Sequence, residues 1–298
     1  MMNNIGIDMG GTRLKIGLFD KSVLIRQTVV DAASKRSFEE TIKTLNGEME
    51  KLLKSASVKD ISGIGMSVPG IVDTENNRII SINEKYKEAE DFDFNGWADG
   101  IWHCRLVTEN DARAALVGEW QRGSGKGVDN IVMMTLGTGI GGAALINGKL
   151  LYGKHFQAGC LGGHFTVDYK GKICNCGNKG CAESIASGWA LSDKTGNEMT
   201  DYKTLCESCQ NGNTEAQQIL DASAEVWGAC AVNLIHAFDP EMLIVGGGIM
   251  KSSEMILPRI REWVEKYAWT PWGKIEVRKS SLEDSAALFG INYLLLNQ

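Results

Sequence analysis

The sequence predicts an α/β protein built from two domains, and three observations support this. The chain has 298 residues, which is long for a single core and fits two domains comfortably. Short apolar segments typical of strands alternate with longer segments of helical character. A pattern of apolar run, glycine-rich turn and apolar run occurs twice, at Asn4–Phe19 and at Ile131–Ile146. Because this pattern opens two halves of similar size, we expect an internal duplication.

The predicted elements follow from local patterns along the chain. The first segment carries Gly10-Gly11 between apolar stretches, which predicts a β-hairpin. The second carries glycines from Gly137 to Gly142 and is followed by the turn signal Asn147-Gly148. The remaining predictions are helices at Phe38–Ser55, Ala112–Arg122, Thr214–Phe238 and Ser285–Leu296, strands at Ile61–Gly65, Arg105–Val107 and Met242–Val245, and a loop at Ser67–Gly70.

The domain organisation is predicted from the two halves. We expect residues 1–113 to form an N-terminal lobe and residues 114–284 to form a C-terminal lobe. The closing helix, within residues 285–298, is expected to pack back on the N-terminal lobe. The 35 glycines cluster in a few tight motifs and there are 4 prolines, so no low-complexity linker is predicted between the lobes.

Composition and charge limit the expected partners. Hydrophobic residues make up 43% of the chain and charged residues 23%, which is near the average for soluble proteins. The formal net charge is -6 and long basic runs are absent, so we expect no nucleic-acid partner. No apolar run approaches the roughly 18 residues that span a bilayer, and no signal peptide is evident. We therefore expect a cytoplasmic protein with no membrane partner, whose cysteines are reduced thiols or metal ligands.

The first glycine loop runs from Asp8 to Thr12. Glycine lets backbone N–H groups approach a phosphate closely, and the Thr12 hydroxyl adds a further donor. Asp8 can hold a hydrated Mg²⁺ ion. An ordinary hairpin turn explains the Gly10-Gly11 pair equally well, so both interpretations stand at this point.

The second glycine loop, Gly137-Thr138-Gly139-Ile140-Gly141-Gly142, formally matches the dinucleotide-binding pattern G-x-G-x-x-G. That pattern needs a helix after the glycines, whereas a short strand is predicted here. The loop is therefore interpreted as a second phosphate-binding hairpin. A third cluster, Gly246–Gly248, follows an apolar strand, and bare backbone at Gly247 permits the close approach of adenine. A plain strand-to-helix turn is the alternative for this cluster.

A metal site is predicted from four residues with the spacing H-x₉-C-x-C-x₄-C. These are His164, Cys174, Cys176 and Cys181. Three thiolates and one imidazole suit tetrahedral Zn²⁺, and four protein ligands make the predicted zinc structural. Free thiols are the alternative, since a Cys174–Cys176 disulfide would close a very small, strained loop.

A candidate general base lies at Asn110-Asp111, between a predicted strand and a predicted helix. Strand ends of α/β folds face the ligand crevice, and a carboxylate there can accept the proton of an attacking hydroxyl. Asn110 can fix a neighbouring hydroxyl. Asn and Asp are also common helix N-caps, so a purely structural role is the competing interpretation.

Together these motifs resemble the ROK family of bacterial repressors and sugar kinases. The matching strings, in the family's order, are Asp8-Met9-Gly10-Gly11-Thr12, Glu109-Asn110-Asp111-Ala112, Leu136–Gly142, His164 with the three cysteines, and Gly180-Cys181-Ala182-Glu183. They span most of the chain, and the combination is highly specific. The resemblance implies a two-lobed, actin-like or hexokinase-like fold of the ribonuclease H type, with ATP and a sugar bound in a cleft between the lobes.

The resemblance also implies a reaction. It implies an ATP-dependent kinase that transfers the γ-phosphoryl group to a hydroxyl, usually the 6-hydroxyl, of a hexose or hexose derivative, with Asp111 as general base. Asn110, His164 and Glu183 are implied to contact the sugar, and Gly70 is assigned to the same site. The residues implied to surround the ATP phosphates are Asp8, Gly10, Gly11, Thr12, Gly137, Thr138 and Gly139. The expected cofactors are ATP, Mg²⁺ and structural Zn²⁺, and the expected assembly is a homodimer or homotetramer.

One departure from the family pattern concerns the sugar. Family glucokinases typically carry E-x-G-H, whose Glu binds sugar hydroxyls, whereas here Leu161 stands three residues before His164. A buried carboxylate that bonds hydroxyls decides specificity strongly, so glucose is not the expected substrate. A substituted sugar, a glycoside or an unusual hexose is favoured instead.

Two alternatives remain from the sequence. Repressors of this family carry an additional N-terminal helix-turn-helix domain, and the first glycine loop here begins at residue 8, which favours the kinase branch. The other alternative is a sugar-binding or regulatory protein of the family with weak or lost kinase activity. Asp111 and the two glycine loops argue against that alternative, while Leu161 leaves it open.

Overall fold

The fold consists of two compact units, each with its own sheet and core. The computed structural model describes residues 3–32, 37–82, 84–196 and 199–298. The first unit comprises Met1–Gly123, Tyr152–Gln157 and Ser285–Gln298, and the second comprises Ser124–Leu151 and Ala158–Asp284. The boundary expected at residue 113 falls inside a helix, and that helix stays whole in the first unit because it packs against the last helix of the chain.

The first unit is built on a five-stranded sheet with helices packed against it. Its strands are β1 (Asn3–Met9), β2 (Arg13–Asp20), β3 (Val23–Asp31), β4 (Gly63–Val68) and β7 (Arg105–Asn110), in the order β3-β2-β1-β4-β7. A small hairpin of β5 (Ile71–Asp73) and β6 (Arg78–Ser81) and a 3₁₀ segment at Glu84–Asp91 follow β4 and precede β7 in the chain. The helices are α1 (Phe38–Ser55), α2 (Phe94–Trp102), α3 (Asp111–Arg122) and α9 (Ala286–Asn297).

The second unit repeats the same sheet plan. Its strands are β8 (Ile131–Leu136), β9 (Ile140–Ile146), β10 (Lys149–Leu150), β11 (Met242–Gly246) and β12 (Glu276–Lys279), in the order β10-β9-β8-β11-β12. Its helices are α4 (Ala182–Ala186), α5 (Gly188–Lys194), α6 (Tyr202–Gln210), α7 (Thr214–Phe238) and α8 (Ser253–Tyr267), with 3₁₀ turns at Gly162–His164 and Gly248–Ser252. In both units three antiparallel strands are followed by two parallel ones, which confirms the duplication predicted from the glycine hairpins.

Local sequence explains the best-predicted helices. Helix α1 begins at a capping box in which Ser37 and Glu40 satisfy each other's backbone N–H groups, and it buries a stripe that includes Leu45 and Met49. Helix α7 is capped by Asn213, whose side chain accepts from the Ala216 N–H. Both helices have the bounds that the sequence predicts, because their caps and apolar stripes are local signals.

Close packing of helices in the first unit depends on small residues. A Cβ atom at Gly118 of α3 would collide with the backbone carbonyl of Ala286, and one at Gly290 of α9 with that of Ala114. The two helices therefore approach with backbone against backbone at these points. This contact holds the end of the chain, from Ser285 onward, in the first unit.

The prediction was wrong in part at β4. The strand was expected at Ile61–Gly65 with a loop from Ser67, whereas it runs from Gly63 to Val68. Ser67 is paired in register with Asp8 on one side and with Glu109 on the other, so the loop begins after Val68. This places the Ser67 side chain beside that of Asp8. In the part of the chain that the structure describes, no helix has the length and apolar character needed to cross a membrane.

Candidate active site and metal centre

Asp8, near the end of β1, has a donor on each carboxylate oxygen. The Lys15 Nζ donates to Oδ2 at 3.0 Å, and the Ser67 Oγ donates to Oδ1 at 2.9 Å. Strand register explains the grouping, since Lys15 and Ser67 are the Cα partners of Asp8 on the two neighbouring strands. Asp8 is 6% exposed, and its oxygens retain acceptor capacity for a cation or its water shell.

The predicted phosphate-binding residues Gly10, Gly11 and Thr12 lie in the tight turn from β1 to β2. The Gly10 N–H donates to the Arg13 carbonyl at 2.9 Å, and the Tyr86 hydroxyl donates to the Gly10 carbonyl at 3.0 Å. A Cβ on Gly10 would lie 2.8 Å from the Arg13 carbonyl oxygen, so the turn itself requires the absence of a side chain there. The interpretation as an ordinary turn and the one as a phosphate loop are therefore compatible.

The corner between β7 and α3 holds Asn110 and Asp111. Asn110 is the helix N-cap: its Oδ1 accepts from the Arg113 N–H at 3.1 Å, while its Nδ2 donates to the Gly70 carbonyl at 2.9 Å. Asp111 is the first helical residue, so the capping role that competed with catalysis falls to Asn110. The Asp111 Oδ1 accepts from the Ala112 N–H at 2.8 Å and from the Asn110 Nδ2 at 3.2 Å.

The electrostatic state of Asp111 is unusual for a carboxylate. Burial, followed by the nearby negative charge of Asp8, raises the pKa of Asp111 to about 7. The backbone N–H groups of Ala112 and Asp111 and the charge of Lys15 lower this pKa by less. A carboxylate with a pKa near neutrality is a stronger proton acceptor than an ordinary Asp and is still ionised in part at pH 7, which suits a general base.

Gly70 acts on this corner through its backbone. It has φ +107, a conformation that favours glycine, and a Cβ there would collide with the Ser81 carbonyl. Its own carbonyl accepts the hydrogen bond from Asn110. The residue assigned from sequence to the sugar site thus orients the Asn110 side chain.

In the second unit, the loop between β8 and β9 is tied to Glu183. The Glu183 Oε2 accepts from the Ile140 N–H at 2.9 Å, and a Cβ on Gly139 would lie 2.6 Å from the same oxygen. The carbonyls of Gly137 and Thr138 accept from the first N–H groups of α5. The structure therefore brings the predicted phosphate-loop residues Gly137, Thr138 and Gly139 together with Glu183.

Gly247 has a structural reason to be glycine. It has φ +92, and a Cβ would collide with the Leu136 carbonyl at the end of β8. It lies between β11 and the following 3₁₀ turn, where the sequence predicts that adenine comes close to the backbone.

The four predicted metal ligands converge in the second unit. Their ligand atoms all lie within 4.8 Å of one another. The sulfurs of Cys176 and Cys181 are 3.7 Å apart, and the Cys174 sulfur is 3.8 Å from the His164 Nδ1. Zinc–sulfur bonds of about 2.3 Å at tetrahedral angles separate two sulfurs by about 3.8 Å, so the spacing fits tetrahedral zinc.

The surroundings of the cluster explain its shape. A Cβ on Gly180 would collide with the Asp168 carbonyl, and Gly180 has φ +68, so only glycine fits this turn. The Asn178 Nδ2 donates to the His164 carbonyl at 3.1 Å and lies 3.4 Å from the Cys181 sulfur. Burial and the neighbouring thiols raise the pKa of Cys181 to about 12. A bound divalent cation would reverse this effect, because it stabilises thiolates directly.

His164 and Leu161 belong to one short turn. The His164 N–H donates to the Leu161 carbonyl at 3.0 Å, and the His164 Nδ1 faces the cysteines. The Leu161 side chain is 37% exposed, so the position at which the family pattern implies a carboxylate carries an accessible apolar group.

Sequence reasoning missed several polar residues at the Asp8 and Asp111 sites. These are Lys15, Ser67, Tyr86, Arg113 and Tyr152. Lys15 follows from the register of the hairpin, which is centred between Gly11 and Thr12 and pairs Lys15 with Asp8. Tyr152 was not open to prediction, because it lies 43 residues from Glu109, whose carboxylate it contacts.

The two units with the same sheet plan define an α/β protein. Its fold matches that of the ROK hexokinase from Thermus thermophilus, with a TM-score of 0.80 and 28% identity over 99% of this chain and 100% of that one. The ROK family sequence profile matches residues 4–298, and the chain therefore belongs to the ROK family.

Relatives of different function match the chain. The glucokinase of Thermotoga maritima is 30% identical over 96% of this chain and 95% of that protein. The xylose repressor of Bacillus subtilis is 29% identical over 79% of this chain and 61% of the repressor. The structure of a ROK family glucokinase from Streptomyces griseus in complex with glucose and AMPPNP matches with a TM-score of 0.83 and 26% identity, over 98% of both chains.

Proposed function

We propose that the protein is an ATP-dependent sugar kinase that phosphorylates the 6-hydroxyl group of a hexose or hexose derivative. The observation that carries this proposal is the Asp111 carboxylate, which has a pKa of about 7 and stands next to the helix cap Asn110 at the end of β7. The match to glucokinases over nearly the whole chain supports it. A purely structural Asp at this corner is not needed, because Asn110 already caps the helix.

The reaction would proceed by in-line displacement. The sugar hydroxyl oxygen forms a bond to the γ-phosphorus as the bond to the β–γ bridging oxygen breaks, and ADP leaves. Asp111 accepts the proton of the attacking hydroxyl. Because phosphoryl transfer needs little covalent help, the remaining residues act by positioning groups and stabilising charge.

Nucleotide binding is assigned to the two glycine hairpins and to Gly247. The hydroxyls of Thr12 and Thr138 are proposed as donors for phosphate oxygens, and the bare glycine backbone lets a phosphate come close. The N–H groups of Gly10 and Gly137 already donate within their turns, to the carbonyls of Arg13 and Gly139. Asp8 would hold hydrated Mg²⁺, which neutralises charge on the transferred group. The residues assigned are Asp8, Gly10, Gly11, Thr12, Gly137, Thr138, Gly139 and Gly247.

Zinc is assigned a structural role at His164, Cys174, Cys176 and Cys181. These four residues would fill all four tetrahedral positions of a bound zinc, which would leave no position open for a substrate or a reactive water. Metal binding through Nδ1 would fix the orientation of the His164 ring, which leaves Nε2 to meet a sugar hydroxyl.

The sugar is assigned to Asn110, His164, Glu183 and Gly70, with Leu161 setting the preference. An apolar group in place of a carboxylate lowers the polarity of the pocket and removes a hydroxyl partner. We therefore expect glucose to be a poor substrate beside a bulkier or more apolar derivative, such as an N-acylated sugar or a glycoside.

A sugar-responsive regulator is the second candidate. The match to the xylose repressor over 79% of this chain favours it. The two candidates differ in turnover: a regulator binds a sugar without consuming ATP.

A screen of ADP release against a panel of hexoses, glycosides and N-acylated sugars separates these candidates. The kinase proposal predicts sugar-dependent ADP release, a phosphorylated sugar as product, and little ATP hydrolysis without sugar. Sugar binding by calorimetry with no ADP release would contradict the kinase and favour the regulator. Sugar-independent ATP hydrolysis alone would contradict both.

A further inference from the structure

The segment Tyr152–Gln157 joins the first unit, although the chain on both sides of it belongs to the second. Within the segment, Phe156 has φ +58, a rare conformation for a bulky aromatic residue. Such a conformation persists only where the surrounding structure holds it. The segment is therefore held in place by specific contacts.

Those contacts come from two buried charged residues. The Arg113 Nη2 donates to the Phe156 carbonyl at 3.0 Å, and its guanidinium carbon lies 4.9 Å from the centre of the Tyr152 ring. The Tyr152 hydroxyl donates to the Glu109 Oε2 at 2.7 Å. Arg113 is 0% exposed and Glu109 is 1% exposed, with 3.7 Å between the Arg113 Nη1 and the Glu109 Oε1.

The same two residues hold the backbone of the catalytic corner. The other Glu109 oxygen, Oε1, accepts from the Asn110 N–H at 2.7 Å. The Arg113 backbone N–H donates to the Asn110 Oδ1 at 3.1 Å. Asn110 in turn donates to Asp111, so a continuous set of hydrogen bonds runs from Tyr152 through Glu109 and Asn110 to Asp111.

We propose that Glu109, Arg113 and Tyr152 are positioning residues, which fix Asn110 and Asp111 from behind and make the segment Tyr152–Gln157 part of the catalytic apparatus. The inference rests on the proposed kinase function in so far as it predicts turnover. A role in stability alone explains the cluster less well, because apolar packing of the same volume serves stability as well as or better than a buried ion pair. Directed hydrogen bonds, by contrast, fix the geometry of the groups they join.

The test is Tyr152→Phe, which keeps the ring over Arg113 and removes the hydroxyl that bonds Glu109. The matched control is Tyr202→Phe, because Tyr202 is also buried and its hydroxyl donates to the Ala186 carbonyl in the second unit. We expect Tyr152→Phe to lower kcat by roughly 10-fold, as small misplacements of catalytic groups do, and to leave the KM for ATP within about 2-fold. Tyr202→Phe is expected to lower the melting temperature without changing kcat.

A second readout does not depend on turnover. Hydrogen–deuterium exchange followed by mass spectrometry should show faster exchange of the amides at residues 110–113 in Tyr152→Phe, and unchanged exchange there in Tyr202→Phe. Unchanged kcat with unchanged exchange at 110–113 would overturn the proposal. If the wild-type protein phosphorylates no sugar, the proposed function fails, whereas the exchange comparison still decides whether Tyr152 holds the corner.

A variant at Glu109 guards against the case in which Tyr152→Phe does not fold. Glu109→Gln keeps an oxygen acceptor for the Asn110 N–H and removes the charge. We expect it to lower kcat less than Glu109→Ala, which removes the acceptor altogether. Equal losses in both variants, at equal melting temperature, would show that the acceptor does not matter and would overturn the positioning role.

Discussion

Asp111 lies within electrostatic reach of Asp8, across the ends of β7 and β1. Burial raises the pKa of Asp111 most, and the Asp8 charge raises it further, to about 7. Asp8 itself is paired with Lys15 and Ser67. The two carboxylates therefore have different roles open to them: Asp8 to meet a cation, and Asp111 to accept a proton.

The raised pKa of Asp111 predicts an effect on stability. The ordinary pKa of this group is 3.8, so between about pH 4 and about pH 7 the folded protein holds a proton that the unfolded chain has released. This contribution to the free energy of unfolding is present at low pH and is lost as pH rises through the folded pKa. We expect Asp111→Asn, which cannot titrate, to be more stable than wild type, by a margin that grows over this window and is constant above it.

Denaturant melts of both proteins at about pH 5 and about pH 8 measure this margin. Asp201→Asn is the control, because the Thr204 N–H lowers the pKa of Asp201 at its helix cap. Its replacement should therefore lower stability relative to wild type, where Asp111→Asn raises it. A margin for Asp111→Asn that is the same at both pH values would show that Asp111 has an ordinary pKa.

The metal site predicts a second outcome. Cys176→Ser should release zinc and lower stability, because a metal that binds the folded protein contributes its binding free energy to folding. Cys176 is the exposed member of the cluster, so the loss of packing at this position is small. Metal analysis of protein purified without chelator should find one zinc per chain in wild type and little in the variant.

The control for this measurement is Cys209→Ser. Cys209 is a partly buried thiol on α6, outside the cluster. It should retain full zinc content. Wild-type protein without zinc, or Cys176→Ser with full zinc, would remove the metal assignment.

Nucleotide binding is best tested at Gly137. A Cβ at this position has no atom within 4 Å, so Gly137→Ala leaves the protein's own contacts intact. Gly139 is a less informative position, because a Cβ there lies 2.6 Å from the Glu183 carboxylate and would displace it. If phosphate approaches the backbone at Gly137, the added methyl should weaken ATP binding by roughly 10-fold, since overpacking a close contact costs about 1–3 kcal/mol.

Calorimetry with a non-hydrolysable ATP analogue gives the affinity directly. Gly100→Ala in α2 is the matched control, as its Cβ also meets open space. Equal ATP affinity in Gly137→Ala, Gly100→Ala and wild type would place the phosphates elsewhere.

The sugar preference is tested at Leu161. Leu161→Glu introduces a carboxylate at the position where the resemblance to family glucokinases implies one. It should raise kcat/KM for glucose by roughly 10–100-fold relative to the best sugar of the panel, since one unmade hydrogen bond costs about 1–3 kcal/mol. Leu161→Met keeps an apolar side chain and should leave the preference unchanged. Glucose as the best wild-type substrate would refute the inference from Leu161.

The sequence predicted those parts of the fold that have local signals. Helix α1 is specified by its capping box and apolar stripe, and the two hairpins by their glycines. Strand β12 was missed, because Glu276–Lys279 has one buried apolar residue, Val277, among three charged residues. It forms a strand by pairing with β11. Its signal lies in the partner strand and not in its own residues.

Prediction of the candidate site from sequence was also limited to features with local signals. The convergence of the four proposed metal ligands was predictable, because their spacing is local and their chemistry is specific. The contact of Tyr152 with Glu109 was not, since it joins residues 43 positions apart and depends on the path of the whole chain. The raised pKa of Asp111 was likewise beyond local patterns, because burial and the charge of Asp8 both arise from tertiary structure.

The central claim is that Asp111 is the general base of a sugar kinase. If Asp111 is the base and has a pKa of about 7 in the ligand-free protein, wild-type kcat/KM should fall about tenfold for each pH unit below this value. The reason is that protonated Asp111 cannot accept a proton. Asp111→Asn removes this dependence together with the base. Asn110 remains to cap the helix, so the variant should fold.

Single-turnover phosphoryl transfer by wild type and Asp111→Asn, with the best sugar of the panel, tests this claim most directly. General-base catalysis is typically worth about 10²–10⁴-fold, so the variant should transfer the phosphoryl group slower by roughly that factor. On the same preparation it should bind ATP and sugar nearly as wild type does and melt at the same or a higher temperature. A folded Asp111→Asn variant that transfers the phosphoryl group at a near wild-type rate would contradict the account.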